Sequence, residues 1–464
     1  MIIMKFGGTS VENARSMDNV IQIVMRQRER RPLVVLSAIA GATNDLLACA
    51  QSALEGKLDD SVSVLNNLLE RHVSIAENII DDRPAYQQVI QFCRRRIEEL
   101  RNLCQGIAIL GELTNRSLDA ISSVGERMSS MILFEGMKQR GIAAELVDAR
   151  TCMFTDEHYA SAVPLFEKID VKAREVFLPL LDSHKVPITQ GFIGSTVKGV
   201  TTTLGRGGSD YSAAILGAAL DAEEIQIWTD VDGILTADPR IAPKAQKLKI
   251  ISFREASELA YFGAKVLHPS TILPAIKKSI PVVVLNSKRP ESTGTRIVAN
   301  PPKSNVPVKS IASKKGITVI NIQSTRMLMA HGFLESIFSV FNRHKTSVDL
   351  VSTSEVAVSL TIDNSERLES IVAELKNFSD VAIYRDKSIV CIVGDQMHST
   401  AGIADRIFRA LGNINVMMIS MGASEINMSL VIEQERVEDA VRQLHKEFFE
   451  PVPEVELFDA VGAN

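Results

Sequence analysis

The run Thr201 to Gly217, TTTLGRGGSDYSAAILG, constrains this chain more tightly than any other stretch of it. Three hydroxyl residues lead into Gly205, Arg206, Gly207 and Gly208, and Ser209-Asp210 then opens an apolar run suited to a helix. Neighbouring glycines admit positive φ and let a ligand approach the backbone closely. A polar helix start leaves N–H groups that attract anions, and the planar fork of Arg206 matches a carboxylate or phosphate. A lone turn of this kind is as often a strand-to-helix connection with a surface arginine. Here a charged fork, a carboxylate and three glycines crowd into Gly205 to Asp210, which favours a binding site.

The same pattern recurs near the start. Ile2-Ile3-Met4 forms a short apolar strand that ends in Lys5-Phe6-Gly7-Gly8-Thr9-Ser10, and a helix is expected from Arg15 to Arg30. Leu33 to Leu36 is continuously apolar, as a strand covered on both faces must be, and ends in the small and polar Ser37 to Asn44. Strand, small-residue turn and helix in repetition predict an α/β sheet, whose ligands gather at the carboxyl ends of the strands. Leu54 to Leu110 is helical and charged, with solvated faces, and the run SSVGER (Ser122 to Arg127) is expected to interrupt it and to carry Glu126. Further strands are expected at 144–147, 186–190, 224–228 and 281–285. The loop Thr229 to Arg240 is dense in carboxylates, and Phe262 to Pro269 brings Lys265 to a loop or helix start.

With 464 residues the chain has room for two or three domains. Asn300 to Lys309 (NPPKSNVPVK) has the composition of a linker. Beyond it the sequence repeats at a fixed offset: Gly332 with Gly402, Ile337-Phe338 with Ile407-Phe408, Ser354-Glu355 with Ser424-Glu425, Ser359-Leu360 with Ser429-Leu430, Ile362 with Ile432. Each copy runs strand, helix, strand, strand, helix, so two α+β ferredoxin-like modules are expected in tandem. The expected division is a catalytic domain over 1–299, a linker over 300–310, and modules over 311–386 and 387–464. The alternative is an intertwined pair, with the C-terminal end completing the first module.

A formal net charge of −5 and 5% aromatic residues give no basis for a nucleic-acid partner. The five cysteines are scattered without a CxxC pair, which argues against disulfides and zinc and for a reducing compartment. No signal peptide and no membrane span is expected, and the location expected is cytoplasmic. Walker A, GxGxxG, HExxH, GxSxG and the protein-kinase motifs are all absent from the sequence. What remains is a set of glycine turns carrying Lys5, Arg206, Asp210, Asp230 and Lys265. Two lysines and backbone amides can hold phosphates, and carboxylates can hold Mg²⁺. Taken one at a time, each of these residues is more often a solvated strand end or a turn former.

Together the motifs resemble the aspartate kinase family. The resemblance rests on KFGGTSV (5–11), SAIAGATN (37–44), GER (125–127), TLGRGGSDYSA (203–213), WTDVDGI (228–234) and FGAKVLHP (262–269), in that order. The tandem modules, with MLMAHGFL (327–334) and SVDLVSTSEV (347–356), are similar to the paired ACT domains of the monofunctional, lysine-sensitive type. The resemblance implies an amino-acid kinase fold and transfer of the ATP γ-phosphoryl group to the β-carboxylate of aspartate. That reaction opens lysine, threonine and methionine biosynthesis.

It also implies roles for individual residues. Lys5, Phe6, Gly7 and Gly8 would contact ATP phosphates, with Lys265 neutralising the transferred group. Thr229, Asp230, Leu235, Arg240 and Val266 would line the nucleotide pocket. Arg206 would clamp the α-carboxylate of aspartate and Glu126 its ammonium, with Ser37, Thr43, Ser209 and Asp210 completing the substrate and metal surroundings. Mg²⁺ would be held mainly through ATP phosphates, with no dedicated protein site. Met327, Gly332, Phe333, Leu334, Asp349, Ser354 and Glu355 would bind lysine as effector, with threonine the fallback. Asp349 aligns with Ile419, so the charge is expected in one copy only. A homodimer, with pairing into a tetramer as an extension, is expected through 311–464.

Two positions depart from the family pattern: Leu235 stands where relatives often have a tyrosine, and Ala330 where lysine-sensitive relatives often have a serine. Rival readings are a kinase for glutamate or acetylglutamate, and an amino-acid sensor with a dead kinase domain. Glu126 beside Arg206 favours a free amino acid over an acetylated one, and intact Lys5, Arg206, Asp210 and Lys265 speak against a dead site. From the length, a fused homoserine dehydrogenase is not expected.

Overall fold

A computed structural model describes residues 1–263, 269–302, 306–324, 331–422, 424–450 and 458–460. The chain divides into two compact units, the first comprising 1–234, 250–253 and 266–301, the second 235–249, 254–265 and 302–464.

The first unit begins with β1 (Ile2–Phe6), α1 (Ala14–Arg26) and β2 (Pro32–Leu36). The helix is shorter than expected because Gln27 ends it and a 3₁₀ turn, Arg28–Arg30, follows. Then come α2 (Ala42–Leu54), α3 (Leu58–Ile79), α4 (Arg83–Leu110), α5 (Asn115–Ser122) and α6 (Val124–Gln139). SSVGER does not open into a loop: only Ser123 separates α5 from α6, and Glu126 sits in the first turn of α6. The chain continues through β3 (Ala144–Val147), β4 (Phe154–Thr155), α7 (Phe166–Asp182), β5 (Val186–Gln190), β6 (Ile193–Thr196) and β7 (Thr201–Thr203). After α8 (Gly208–Ala219) and β8 (Glu224–Thr229) it enters the second unit for β9 (Gln246–Leu248). It then returns for β10 (Ile250–Ser252), and α9 (Phe253–Tyr261) lies almost wholly in the second unit. The first unit closes with α10 (Leu273–Lys278), β11 (Val282–Asn286) and β12 (Thr295–Val298).

Its main sheet runs in the order β10-β12-β11-β8-β1-β2-β5-β3 and is parallel except where β11 meets β12. The continuous apolar runs read from the sequence are the central strands, and β1, β2 and β5 are buried along their whole length. Both faces are covered. Ile2, Met4 and Phe6 point into one core with residues of α1 to α6, such as Ile21, Leu65, Ile97 and Met128. Ile3 faces the other way toward α8, where Gly217 lies so close that a Cβ there would meet the Ile225 side chain at 2.6 Å. The central strands end together, so the turns after β1, β2 and β5 share the carboxyl edge of the sheet.

The second unit contains β13 (Ser310–Gln323), α11 (Phe333–Arg343), β14 (Val351–Thr353), β15 (Ala357–Ile362) and α12 (Leu368–Leu375). The repeat follows as β16 (Asp380–Val393), α13 (Ile403–Leu411), β17 (Val416–Met421), β18 (Asn427–Glu433) and α14 (Val437–Phe449). One sheet of order β14-β15-β13-β16-β18-β17 joins the copies. The expected boundary between modules does not coincide with a break in the chain. The first half of β13 pairs with the second half of β16, which also pairs with β18, so residues 310–315 complete the second copy. The second half of β13 pairs with β15 and with the first half of β16, so β16 completes the first copy. The crossover falls at Gly316, whose φ of 78° permits the irregularity between Lys315 and Ile317. Of the C-terminal end, the described strand β19 (Phe458–Ala460) pairs antiparallel with β9.

Lys309, just before β13, lies inside this unit with its side chain only 2% exposed, 2.7 Å from the equally buried Glu255 of α9. Removing one partner of such a pair leaves a charge in a low-dielectric interior. Lys309→Met should therefore cost about 3–5 kcal/mol of stability, measured as a lower urea midpoint. An unchanged midpoint would contradict this.

Candidate active site

At the carboxyl edge of the first unit's sheet, the turns are drawn together by contacts that leave no space for side chains. Gly7 N–H donates to the Trp228 carbonyl at 3.0 Å, and Ser37 N–H donates to the Phe6 carbonyl at 3.1 Å. A Cβ on Gly8 would meet the Ala38 carbonyl oxygen at 2.9 Å, so the turns after β1 and β2 touch through backbone. A Cβ on Gly125 would lie 2.7 Å from that of Ala38, and Ser129 Oγ donates to the Ser37 carbonyl at 2.8 Å. The first turn of α6 is thereby pressed against the β2 turn, and Glu126 is directed inward.

The stretch after β7 behaves as its composition predicts. Gly205 and Gly207 have φ of 74° and 71°, and α8 begins without a side-chain cap. Gly208 N–H donates to the Gly205 carbonyl at 3.0 Å, and the N–H groups of Ser209 and Asp210, without an acceptor among the described residues, face outward as a helix start that suits an anion. Lys5 Nζ, at the end of β1, lies 2.7 Å from Asp210 Oδ1 in the first turn of α8. Both side chains are largely buried.

These elements enclose a cavity of about 690 Å³. It is lined by Lys5, Gly8, Ser37, Thr43, Glu126, Arg206, Ser209 and Asp210, so most of the residues expected around the phosphoryl acceptor converge on one space. Arg206 is exposed at this space and forms no ion pair with a described residue. Glu126 is 3% exposed, and burial pushes its carboxyl up to about 7, against the pull of the backbone N–H groups of Glu126 and Ala38. Its Oε2 has no hydrogen-bond partner among the described residues. A deeply buried, half-satisfied carboxylate facing a cavity is poised for a cation, and an open guanidinium nearby for an anion. Asp119, Ala160 and Phe192 also line the cavity, and sequence reading did not single them out.

Other expected residues lie elsewhere. Phe6 is buried and stacks on Trp228 with ring centroids 5.9 Å apart, so only its backbone faces the turn. Gly7, Thr229 and Asp230 belong to the same edge of the sheet but do not line this cavity. In the carboxylate-rich loop it is Asp232 that is held, by Asn286 at 2.8 Å and by Arg289. Leu235 and Arg240 belong to the second unit, where the exposed Arg240 is paired with Asp238. Lys265, Val266 and Met327 lie outside the described residues, as does Ala330.

Of the expected effector residues, Gly332 caps α11 with φ of 84°, and Phe333 packs edge-to-face on Phe378. Leu334, Ser354 and Glu355 are exposed. Asp349, the negative charge expected for the effector's ammonium, is paired within the protein. Its Oδ1 accepts from Tyr261 at 2.7 Å and from Lys314 at 3.1 Å, and its side chain is 2% exposed. Burial raises its carboxyl above the usual range, while Tyr261 and Lys314 oppose the rise.

Residues 1–286 match the Amino acid kinase family and residues 390–448 match the ACT domain. The chain is 37% identical to lysine-sensitive aspartokinase 3 of Escherichia coli, over 97% of this chain and 99% of that one. The crystal structure of E. coli aspartokinase III in complex with aspartate and ADP superposes with a TM-score of 0.83 at 36% identity, over 97% of this chain and 100% of that one. The same enzyme in complex with lysine and aspartate gives 0.80 at 36% identity, over 97% and 99%.

The shifted Glu126 carboxyl has a measurable consequence. Its folded-state value near 7 lies above its ordinary 4.5, so the stabilisation from holding the proton is present below pH 4.5 and is lost as the pH rises through 7. Glu126→Gln should match the ligand-free wild type near pH 4 and exceed its stability at pH 8 by on the order of 3 kcal/mol. Denaturant midpoints across that range check this, and parallel curves for the two proteins would refute it.

Proposed function

Because the chain belongs to the aspartokinase family, we propose that the cavity holds aspartate for phosphorylation, with its head between Arg206 and Glu126 and its side-chain carboxylate toward Lys5. The reaction transfers the γ-phosphoryl group of ATP to that carboxylate. A carboxylate oxygen forms a bond to phosphorus, the bond to the β-phosphate bridging oxygen breaks, and ADP leaves. The nucleophile is already ionised at neutral pH, so no general base is needed. Positioning and charge compensation carry the rate.

In this reading the Arg206 fork grips the α-carboxylate and the Glu126 carboxylate grips the ammonium, while Ser37, Thr43 and Ser209 offer hydroxyls around them. Lys5 faces the phosphates, and its ion pair with Asp210 fixes where that charge stands. Gly7 and Gly8 let phosphate oxygens approach the backbone, since no side chain intervenes. Lys265 compensates charge on the transferred group, and Thr229, Asp230, Leu235, Arg240 and Val266 serve the nucleotide. Mg²⁺ would enter with the ATP phosphates and would supply charge neutralisation there. The observation that carries the assignment is the buried, half-satisfied Glu126 in one cavity with the open Arg206 and the Lys5–Asp210 pair.

Lysine is the effector in this proposal, bound near Gly332 and Asp349. The likeness to a lysine-sensitive relative and to a structure solved with lysine supports it. An effector ammonium has to compete with Lys314 and Tyr261 for Asp349, and inhibition needs a coupling energy of about 1–3 kcal/mol. We also propose a homodimer, with pairing into a tetramer as an extension. Val351 on edge strand β14, Ile419 and Met421 on edge strand β17, and the matched Phe338 and Phe408 are all exposed apolar groups that a second copy would cover.

Steady-state kinetics with aspartate and ATP test the assignment. Arg206→Ala should weaken aspartate binding by about 2–5 kcal/mol, whereas Lys5→Ala should lower kcat about a hundredfold or more. The aspartate KM should fall as the pH rises through about 7, where Glu126 ionises, and Glu126→Gln should abolish that dependence. Near-wild-type constants in both Arg206→Ala and Lys5→Ala would overturn it. A lysine titration of the wild type and of Asp349→Ala tests the regulation, and equal activity of both at saturating lysine would overturn that part.

A further inference from the structure

Asp119 is a buried charge that the phosphoryl-transfer chemistry leaves unused. It stands on α5, 1% exposed, and lines the cavity. Its carboxylate is saturated by the protein itself. Ala160 N–H reaches both oxygens at 3.0 Å, Thr203 N–H reaches Oδ2 at 3.1 Å, and Thr203 Oγ donates to Oδ1 at 2.6 Å. With each oxygen already accepting two hydrogen bonds, it has little left to offer a substrate.

The partners show what the charge is for. Thr203 ends β7, three residues before Arg206. Ala162 N–H donates to the Thr203 carbonyl at 2.9 Å, so the 160–162 segment is tied to β7 as well. Ala160 has a φ of 70°, a conformation uncommon for a residue with a side chain. Its carbonyl would lie 3.3 Å from a Cβ on Gly205, so this segment forms one wall of the Gly205–Gly207 turn. On the other side, α5 runs almost directly into α6, whose first turn carries Glu126. A single carboxylate thus joins the helical pair that bears Glu126 to the turn that bears Arg206.

We propose that Asp119 is a positioning residue for recognition of the amino-acid head, setting the spacing between the Glu126 carboxylate and the Arg206 guanidinium. This rests on the reading that those two groups grip the ammonium and α-carboxylate. Two charges held apart at a fixed distance discriminate a free α-amino acid only if that distance is maintained. The hydrogen bonds of a buried carboxylate are stiff enough to maintain it. The nucleotide side depends on Lys5 and the turn after β1, which Asp119 does not touch, so its loss should separate the two substrates.

The test is steady-state kinetics on the full chain. Asp119→Ala should raise the aspartate KM about tenfold or more, with the ATP KM within about twofold and kcat within about threefold of wild type. Asp119→Asn keeps the shape and an acceptor oxygen, and should recover most of the loss. If Asp119→Ala does not fold, Thr203→Val, which removes only the hydroxyl donor, should show the same split with smaller amplitude. Aspartate KM values within twofold of wild type in every variant that folds, beside a raised value in Arg206→Ala, would overturn the inference alone. A parallel loss for both substrates, or a fall in kcat only, would also overturn it by indicating a merely structural role. An unchanged aspartate KM in Arg206→Ala as well would overturn the underlying reading, and the inference with it.

Discussion

Backbone touching backbone at the carboxyl edge of the parallel sheet is the constraint on which the first unit depends. Ala38 is the pivot: its carbonyl closes on Gly8 from one side and its Cβ closes on Gly125 from the other. A third close approach, with Gly191 so near Ser209 that a Cβ would lie 2.6 Å away, seats the start of α8 against the turn after β5. Glycine at such positions relinquishes packing area and gains proximity. Four turns from distant parts of the chain consequently face one cavity. Lys5, Glu126 and Asp210 are held on packed strands and helices, while Arg206 stands in the turn just before α8.

Once that geometry exists, its electrostatics follow. Lys5 and Asp210 neutralise each other across 2.7 Å, so a lysine can stand largely buried at the end of the central strand. Glu126 has no such partner and responds to burial by holding its proton to about pH 7. Asp119 lies between these cases, with burial raising its carboxyl and three hydrogen-bond donors, the Thr203 hydroxyl and the Ala160 and Thr203 N–H groups, opposing that rise. Three carboxylates around one cavity thus carry three different loads. One pairs with a lysine, one has an oxygen without a partner among the described residues, and one ties two segments together.

The second unit solves a different problem. Two long strands, β13 and β16, each serve both copies of the repeat, so neither copy closes its sheet alone. Between the copies the packing is shared but the chemistry is not. Asp349 in the first is enclosed by Tyr261 and Lys314, while the aligned Ile419 in the second is exposed on an edge strand. The same scaffold thus encloses a paired carboxylate in one copy and leaves an apolar side chain exposed at the aligned position of the other.

Much of this was legible before any fold was known. Continuous apolar runs ending in small polar turns carried the α/β sheet, because a strand covered on both faces has no other way to be written. The fixed offset between copies carried the repeat, and dense motifs such as LGRGGSD carried the family. These are local signals, set by backbone freedom and side-chain polarity within a few residues. What depends on distant partners was not legible. A lone aspartate in a short helix gives no sign that Thr203 and Ala160 will surround it. The sequence likewise showed the charge of Asp349 but not its partners, because Tyr261 and Lys314 reach it only in three dimensions. The sequence offered interleaving of the modules only as an alternative, without the strands that carry it; β13 and β16 exchange halves because pairing is chosen by the folded sheet and not by the strand. Residue types and turns were thus determined locally. Burial, pairing and the pH at which Glu126 ionises were decided by the tertiary structure, because each depends on which other parts of the chain displace water from it.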